Sequence, residues 1–435
     1  MNYAQTIEFL DSAMSSFQQA GAAAYKPGLE RITEFCRRTG NPQRNFFTIH
    51  VAGTDGKGSV SSMIAAVLQS AGYRTGLFTS PHLHEFRERI RVDGEIIPKQ
   101  KVVNFVDKYR DTMLEVGLSY FEMTTAMAFD YFDQSDVEVA VIETGLGGRL
   151  DATNIITPIL SIITNISLEH TDLLGDTAEK IAAEKAGIIK KSIPVLIGQS
   201  SEAYNPVIEA RAAEMKSKVV YAEKEFLLEK RLPTETGSRY ILVRNRDNRK
   251  FDLRIDLEGD YQSRNIVTAT AALDFLHEET PLSISRRALR EGLLTAAAAT
   301  GLRGRWTVVS SDPLTVCDTG HTAEAFSCIS KQLNALGRKV IAVIGFVSDK
   351  RTADILNELE KVEALYEVIF TRPSVGRAMS LDRLREAAAG RAFAAKYIDT
   401  VAEAVAEAKK DALEAGAGMI FVGGSTYIAA EMLKN

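Results

Sequence analysis

The sequence predicts an α/β protein with two domains. The first is expected to contain a phosphate-binding loop (P-loop), a mostly parallel sheet and a small β insert, and the second is expected to be Rossmann-like. Strand and helix patterns alternate along most of the 435 residues, which is typical of parallel sheets covered by helices. A glycine-rich turn near residue 53 joins a strand pattern to a helix pattern, and the chain is long enough for two domains.

The elements of the first domain follow in chain order from hydrophobic periodicity. Residues 1–40 carry two helical patterns joined at 20–24. Strands are then predicted at 46–51, 74–79, 137–143, 159–164 and 193–197, and helices at 58–71, 98–116, 121–133 and 176–190. Residues 223–258, with short β-like runs and many charges, are predicted to form an antiparallel insert before helices at 260–277 and 283–294.

An alanine-rich stretch before Arg305 marks the predicted domain boundary. We place the first domain at 1–298 and the second at 299–435. In the second domain, strand patterns alternate with helices near 307–310, 314–318, 339–344, 366–370, 394–398 and 418–422. This length and alternation predict one α/β domain of ordinary size.

Composition excludes several classes of protein. The net charge of −5 argues against a nucleic-acid-coating protein. Three cysteines are too few and too scattered for a disulfide framework or a zinc site, which fits a reducing, cytoplasmic setting. The N-terminal residues lack the apolar region of a signal peptide, and no apolar run is long enough to cross a membrane. We therefore expect a cytoplasmic protein without nucleic-acid or membrane partners.

The glycine-rich turn has the sequence Gly-Thr-Asp-Gly-Lys-Gly-Ser at 53–59. Its spacing differs from the usual G-x-x-x-x-G-K-[ST] pattern, but the order strand, turn, helix is what a phosphate loop requires. Glycines let backbone N–H groups face an anion at a helix N-terminus. Lys57 can supply a positive charge, and Ser59 can reach a magnesium ion. The alternative is a plain glycine-rich turn with a solvated lysine.

Polar residues also follow three other predicted strands of this sheet: Ser80 in Ser-Pro-His-Leu, Glu143 at the tip of an apolar strand, and His170. Strand ends of α/β sheets are where ligands bind. Glu143 resembles a Walker B metal ligand, and His170 indicates a second metal site. The alternatives are a plain turn at Ser80, a solvated Glu143 and a structural His170.

Lys185 shares one predicted helical face with Ile181 and Ile188. A lysine on an apolar face usually extends its stem toward solvent. If it is buried instead, its ammonium must be paired, uncharged or chemically modified.

In the second domain, polar residues again follow two predicted strands, as Cys-Asp-Thr-Gly-His at 317–321 and as the segment 345–351. Strand-end edges in both domains are expected to border a cleft that closes on ligand. The alternative is a pair of ordinary turns capped by Asp318 and Asp349.

Taken in order, these motifs resemble the folylpolyglutamate synthase/dihydrofolate synthase family of the Mur ligase superfamily. The segments that carry the resemblance are GTDGKGS, SPHL with FRERI, YFEMTT, Glu143 with GLGGRLDATN, TNISLEH and AAEKAGIIK. The loop is similar to that superfamily's own phosphate loop, G-T-N-G-K-G-[ST]. The match runs from about residue 25 to the C-terminus.

The resemblance implies an ATP-binding domain of the Mur ligase central type followed by a glutamate-ligase domain. The implied reaction is ATP-dependent amide-bond formation: the γ-phosphate of ATP passes to a substrate carboxylate, and L-glutamate attacks the resulting acyl phosphate. The implied substrates are ATP, L-glutamate and either dihydropteroate or a reduced folate. Two Mg²⁺ sites are implied, and we expect a monomer.

The resemblance also implies roles for individual residues. Those implied for nucleotide binding are Gly53, Thr54, Gly56, Lys57, Gly58, Ser59, Gln262, Asn265, Arg305, Asp318 and His321. Those implied as magnesium ligands are Ser59, Ser80, Glu143 and His170. Lys57, His170 and Lys185 are implied as catalytic, and Lys185 matches a lysine that the family carboxylates. Those implied for the pterin side are Gly28, Leu29, Glu30, Arg31, Ser80, His82, Phe121, Glu122 and Thr125.

Three departures from the family pattern stand out. Asp55 replaces the usual asparagine of the loop, and a carboxylate beside phosphates is unfavourable unless it faces a cation. Asp-Thr-Gly-His-Thr-Ala at 318–323 stands where D-G-A-H-N-P is usual, and Gly304-Arg305 lacks the preceding proline.

Two alternative functions are less compatible with the sequence. A cell-wall amino-acid ligase of the same superfamily carries a nucleotide-sugar domain before the loop, whereas only 52 residues precede Gly53 here. A P-loop regulatory protein without ligase chemistry is the second alternative. The chain has no N-K-x-D segment for guanine, and it keeps the whole set Lys57, Ser80, Glu143, His170 and Lys185.

Overall fold

A computed structural model describes residues 1–20, 27–234, 237–347 and 352–434, apart from the side chains of 13–20. Its helices are α1 Tyr3–Ala20, α2 Glu30–Arg38, α3 Lys57–Ser70, α4 Lys99–Val116, α5 Tyr120–Gln134, α6 Thr171–Leu174, α7 Ala178–Ala186, α8 Asn205–Glu214, α9 Ala222–Glu225, α10 Gln262–Glu279, α11 Arg286–Leu294, α12 Ala296–Thr300, α13 Ala323–Leu336, α14 Thr352–Leu359, α15 Leu381–Ala388, α16 Val401–Ala415 and α17 Thr426–Met432.

Its strands are β1 Phe47–Ala52, β2 Thr75–Phe78, β3 Ile90–Val92, β4 Glu95–Ile96, β5 Val139–Glu143, β6 Leu160–Ile163, β7 Val195–Ile197, β8 Val219–Tyr221, β9 Phe226–Thr234, β10 Gly237–Arg244, β11 Arg249–Ile255, β12 Thr307–Ser311, β13 Leu314–Cys317, β14 Val340–Ile344, β15 Leu365–Phe370, β16 Ala394–Tyr397 and β17 Met419–Gly423. These elements form two compact units. Unit 1 comprises Met1–Asp256 and Gln262–Leu302, and unit 2 comprises Leu257–Tyr261 and Arg303–Asn435. The functional division at 298/299 stays a prediction.

The main sheet of unit 1 has the strand order β4-β3-β2-β5-β1-β6-β7-β8 in the described chain. Strands β2, β5, β1, β6, β7 and β8 are parallel, and β3 and β4 form an antiparallel edge. The central strands read as apolar runs because helices cover both faces of such a sheet. This order places the carboxyl ends of β2, β5, β1 and β6 side by side, so the residues that follow those strands share one edge.

Helix α3 begins directly after the glycine-rich turn and is buried from Gly58 to Leu68. Its small residues allow α10 and α11 to approach closely. A Cβ added to Gly292 of α11 would lie 2.5 Å from the Cα of Val67. The start of α3 is therefore fixed by packing on the helix behind it. The predicted insert is confirmed as the antiparallel sheet β11-β10-β9.

The sheet of unit 2 has the order β12-β13-β17-β14-β15-β16 among the described residues. All neighbouring strands are parallel except β12, which pairs antiparallel with β13 at the edge. A core that includes Trp306, Phe326 and Phe421 packs the helices on this sheet. The Rossmann-like prediction for this part of the chain is confirmed.

Several predicted elements differ from the structure. The helix predicted at 176–190 is shorter, since α7 ends at Ala186, and Ile188 is buried just beyond it rather than on its face. Helix α8 and the short strands β3, β4 and β8 were not predicted. Of the predicted joint at 20–24, residues 21–24 lie outside the described residues, as do residues 348–351 of the second-domain turn.

Candidate active site

The glycine-rich loop lies between β1 and α3, as predicted, and two of its glycines are required by geometry. Gly56 has a left-handed φ of 82°, and a Cβ there would lie 2.4 Å from Asn265 Oδ1. A Cβ on Gly53 would lie 1.8 Å from Thr164 Oγ1. Gly56 is also the N-cap of α3 and has no side chain with which to cap it. The first amides of a helix have no partner within the helix, so this terminus is suited to an anion.

The segment that follows β6 holds the loop in place. Thr54 N donates to Asn165 O at 3.0 Å, and Asp55 N donates to Asn165 Oδ1 at 2.7 Å. In return, Thr164 Oγ1 donates to Asp55 O at 2.6 Å, and Ser167 N donates to Thr54 Oγ1 at 3.1 Å. The conformation of the loop therefore depends on residues more than 100 positions later in the chain.

Two lysines share the carbonyl oxygen of Gly53. Lys57 Nζ donates to Gly53 O at 3.0 Å and to Thr54 O at 2.9 Å, and Lys185 Nζ donates to Gly53 O at 2.7 Å. Lys185 is 3% exposed. Burial, and secondly the nearby Lys57 charge, lower the pKa of Lys185 to about 7. The carboxylates of Glu169, Asp55 and Asp151 have the opposite effect and raise it. Lys185 is thus a buried amine that loses its proton more readily than an exposed lysine does.

The surroundings of Lys185 are those of the phosphate loop. Its hydrogen bond is made to Gly53 O, and the charges that shift its pKa come from Lys57, Glu169, Asp55 and Asp151. Helix α7 places Lys185 beside Gly53, at the start of the loop.

Glu143 ends β5, as predicted, and is 3% exposed. Its Oε2 accepts a hydrogen bond from Ser80 N at 3.1 Å, so the residues after β2 and β5 meet at the sheet edge. Ser59 Oγ accepts from Gln262 Nε2 at 3.3 Å, and Asn265 Nδ2 donates to Gln262 Oε1 at 2.8 Å. The start of α10 therefore lies beside the phosphate loop.

The predicted position of His170 is wrong. Strand β6 ends at Ile163, and His170 is the N-cap of the short helix α6, with a left-handed φ of 52°. Its ring lies 3.6 Å from Glu169 and is 36% exposed. Residues 164–167 intervene because they bind the loop. Among the described residues, no group of three or more His, Cys, Asp or Glu side chains is placed to hold a metal ion.

Asp151 is a buried residue of this region whose role was not predicted from the sequence. Its Oδ2 accepts hydrogen bonds from Gly145 N and Leu146 N, both at 2.9 Å, and its Oδ1 accepts one from Thr153 N at 3.0 Å. It thereby closes the turn after Glu143. The sequence signal for this role is an aspartate six positions after Gly145, the first glycine of the turn, because Asp commonly binds backbone N–H groups of turns.

The predicted pterin-side residues fall in three places: at the start of α2, on α5 and in the segment after β2. Arg31 of α2 forms an ion pair with Glu122 at 3.2 Å, and Glu122, 3% exposed, also closes the capping box of α5 with Ser119. The ring of Phe121 lies against Gly145, where a Cβ would be 2.5 Å from it, and Thr125 is fully buried.

The other predicted pterin-side residues are Gly28, Leu29, Glu30, His82 and Ser80, whose N–H binds Glu143. The first three lead into α2: Leu29 is its N-cap, and a Cβ on Gly28 would meet Glu30 Oε2 at 2.4 Å. His82 Nδ1 accepts from Arg89 Nε at 2.8 Å. Burial, then Arg89 and His84, lower the pKa of His82 to about 3, so its imidazole is neutral.

In unit 2, Asp318 follows β13 and is 2% exposed. It accepts hydrogen bonds from Tyr261 Oη at 2.6 Å, Trp306 N at 2.8 Å and Gly320 N at 2.7 Å. Burial raises its pKa above the ordinary value.

The two other predicted residues of unit 2 both contact Thr319. The Arg305 guanidinium donates to the Thr319 hydroxyl, and His321 Nδ1 donates to Thr319 O at 2.8 Å. The predicted residues Arg305, Asp318 and His321 therefore belong to one turn system.

Comparison with known proteins agrees with these features. Residues 51–273 match the Mur ligase middle domain, and residues 304–426 match the Mur ligase glutamate ligase domain. A folylpolyglutamate synthase of Lacticaseibacillus casei is 32% identical over 99% of this chain and 97% of its own length. A dihydrofolate synthase/folylpolyglutamate synthase of Escherichia coli is 31% identical over 98% of this chain and 95% of its own length.

Solved structures give the same result. A Mycobacterium tuberculosis folylpolyglutamate synthase complexed with ADP has a TM-score of 0.86 at 29% identity and covers 99% of this chain and 97% of its own. An E. coli FolC structure in complex with DHPP and ADP has a TM-score of 0.82 at 30% identity, covering 98% and 97%. In the described part of the chain, no helix has the length and apolar character needed to cross a membrane. The chain belongs to the folylpolyglutamate synthase/dihydrofolate synthase family of Mur ligases, which are ATP-dependent glutamate ligases.

Proposed function

We propose that this chain adds L-glutamate to the carboxylate of a pteroate or folate, using ATP and an acyl-phosphate intermediate. One observation carries the proposal: Lys57, Ser80 and Glu143 lie at the carboxyl edge of one parallel sheet, around a helix N-terminus suited to an anion. Positive charge at that edge stabilises the phosphoryl group during its transfer to the substrate carboxylate. The amino group of glutamate then attacks the acyl carbon and releases phosphate.

In this proposal the loop binds the phosphates of ATP. Its residues are Gly53, Thr54, Gly56, Lys57, Gly58 and Ser59, with Asn265 at the start of α10. The ammonium of Lys57 is held by two loop carbonyls, those of Gly53 and Thr54, which keeps its charge within the loop. Arg305, Asp318 and His321 complete the proposed nucleotide-binding set, with residues 299–435 as the glutamate-ligase domain and 1–298 as the ATP-binding domain.

Magnesium is the metal that the proposed ligands suit, since hydroxyl and carboxylate oxygens are hard donors. Ser59, Ser80 and Glu143 would hold it at the sheet edge, and His170 would contribute to a second ion. When bound, Mg²⁺ would neutralise charge on the phosphates. The Ser80 N–H already fixes one Glu143 oxygen, which orients the carboxylate for this role.

Carboxylation of Lys185 is part of the proposal. The amine must lose its proton before it can react with CO₂, and a pKa of about 7 makes the free amine abundant at neutral pH. Burial stabilises the uncharged amine over the ammonium. His170 and Lys185 would then act beside Lys57 in catalysis.

The proposed folate side comprises Gly28, Leu29, Glu30, Arg31, Ser80, His82, Phe121, Glu122 and Thr125. A contact between the Phe121 ring and the turn after Glu143 supports this location, because it joins an aromatic surface to the proposed metal ligand.

A substrate panel tests the function. Dihydropteroate and tetrahydrofolate are each offered with ATP, Mg²⁺ and ¹⁴C-labelled glutamate, and glutamylated product and phosphate are measured together. We expect product in at least one reaction, with phosphate release that requires both the pteroate or folate and glutamate. Phosphate release without either substrate would indicate a regulatory P-loop protein and would refute the proposal.

A further inference from the structure

Three buried polar side chains, His50, Thr153 and Asp151, form a hydrogen-bonded chain in unit 1. His50 lies on β1 and Thr153 follows Asp151, and the three are 0%, 0% and 4% exposed. His50 Nε2 is 2.8 Å from Thr153 Oγ1, which is 2.5 Å from Asp151 Oδ1. Buried polar groups are costly unless paired, so each of these side chains depends on its neighbour in the chain.

The chemistry of the groups fixes the direction of these hydrogen bonds. Asp151 accepts three backbone N–H groups, so it acts as a carboxylate. Burial raises the pKa of Asp151, and these hydrogen bonds oppose the rise. The single hydroxyl proton of Thr153 therefore goes to Asp151, and the Thr153 oxygen accepts from His50. This places the proton of the His50 ring on Nε2.

The state of the His50 ring agrees with this direction. Burial, and secondly the positive charge of Lys190, lower the pKa of His50 to about 3, so the ring is neutral. Its Nδ1 has no hydrogen-bond partner among the residues that the structure describes. Because leaving one ring nitrogen unpaired costs free energy, an apolar residue would fill this position on β1 more favourably if His50 only packed.

We propose that His50 is a positioning residue for the proposed ligase reaction, on which this inference rests. Through Thr153 it fixes the Asp151 carboxylate, and that carboxylate holds the turn at Gly145 and Leu146 against Phe121. The turn begins two residues after Glu143 and touches the Phe121 ring. A looser turn would shift Phe121 and with it the proposed folate side of the site. Residues 164–167 hold the phosphate loop through other hydrogen bonds, and Lys185 also binds it at Gly53 O.

Paired variants give a kinetic test. His50→Leu and Thr153→Val each break the chain. We expect Thr153→Val to raise KM for the folate substrate about tenfold, the effect of one hydrogen bond to a charged group, and His50→Leu to raise it about fivefold, because its bond to the neutral Thr153 hydroxyl is weaker. KM for ATP should stay within about twofold. His50→Gln keeps an N–H donor near the position of Nε2, and Thr153→Ser keeps the hydroxyl, so both should restore the wild-type KM. The double variant His50→Leu/Thr153→Val should raise this KM no more than Thr153→Val alone.

The matched control is Thr270→Val. Thr270 is also buried, and its hydroxyl has no hydrogen-bond partner in the described chain, so this change should leave both KM values unaltered. Equal loss in His50→Gln and His50→Leu, or equal rises in both KM values, would overturn the inference in favour of general packing.

A second measurement does not depend on ligase activity. In wild-type protein labelled with ¹⁵N-histidine, long-range ¹H–¹⁵N spectra should show two rings with the proton on Nε2 and no titration between pH 5.5 and 8, those of His50 and His82. One of these two signals should be missing in His50→Gln, which assigns it to His50. A proton on Nδ1 of the His50 ring, or its titration near pH 6.5, would overturn the inference even if glutamate ligation is confirmed. If ligation fails and the predicted tautomer is seen, the proposed function is wrong and the hydrogen-bonded chain stands.

Discussion

Replacing Lys185 with methionine should change how the stability of the protein depends on pH. Lys185 is 3% exposed, and its pKa in the folded state is lowered to about 7, first by burial and then by Lys57. In the unfolded chain its pKa returns to about 10.4. Between these values the unfolded state binds one more proton than the folded state, so stability rises with pH across this window and is lost as pH falls from about 10.4 to about 7.

The size of the effect follows from the two pKa values. The maximal slope is about 1.4 kcal/mol per pH unit. At pH 7 about half of the folded molecules carry the ammonium, which reduces the slope there. From pH 7 to pH 9 the contribution of Lys185 to the free energy of unfolding should therefore rise by about 2 kcal/mol. The carboxylates of Glu169, Asp55 and Asp151 oppose the shift, and they are present in both the wild type and the variant.

The assay is urea unfolding of the wild type and Lys185→Met at pH 7, 8 and 9, without nucleotide, with EDTA and in buffers free of CO₂. The difference in free energy of unfolding between the two proteins should grow in favour of the wild type as pH rises. Lys180→Met is the matched control, because Lys180 lies on the same helix, is exposed and pairs with Asp176. Its curve should run parallel to the wild type. If the pH dependence of Lys185→Met also ran parallel to that of the wild type, the conclusion that burial lowers the pKa of Lys185 would be refuted.

The remaining predictions concern the phosphate loop and the strand-end carboxylate. Gly53→Ala puts a Cβ 1.8 Å from Thr164 Oγ1 and should weaken ATP binding at least about tenfold in a nucleotide titration. The double variant Gly53→Ala/Thr164→Ala should recover part of the affinity. Unchanged ATP affinity in Gly53→Ala would contradict the close approach of the two residues. Lys57→Ala and Glu143→Ala should each lower kcat by about a hundredfold or more with an unchanged urea midpoint, and near-normal kcat in either would remove that residue from the site. Asp55→Asn should keep kcat and leave ATP affinity equal or better, whereas a large loss of activity would reveal a specific role for Asp55.

The sequence predicted the centre of the first sheet well because the signals there are strong. Strand β5 is an apolar run that ends in Glu143, β1 is apolar apart from Thr48 and His50, and the glycines of the loop are placed where strand gives way to helix. The positions of Lys57 and Glu143 followed directly. Strands β3, β4 and β8 have only two or three residues, which is too short for alternation to be visible.

His170 and Asp151 show why the rest of the site could not be predicted. The position of His170 depends on residues 164–167, which leave the strand to bind a loop 110 positions earlier, as in the Asp55 N to Asn165 Oδ1 bond. The role of Asp151 depends on which turn its carboxylate reaches. Both are consequences of tertiary hydrogen bonds, and local pattern carries no information about the distant partner.

Asp55 has a physical explanation once Lys185 is considered with it. A carboxylate in a phosphate loop repels phosphates unless a positive charge lies nearby. Here two ammonium groups converge on Gly53 O, and Asp55 raises the pKa of Lys185 while Lys57 lowers it. A neutral asparagine at position 55 would therefore lower the pKa of Lys185 further and would increase the fraction of free amine at neutral pH. The residue that departs from the usual loop thus acts on the same proton equilibrium that controls Lys185, so the loop and the buried lysine function as a single charge cluster.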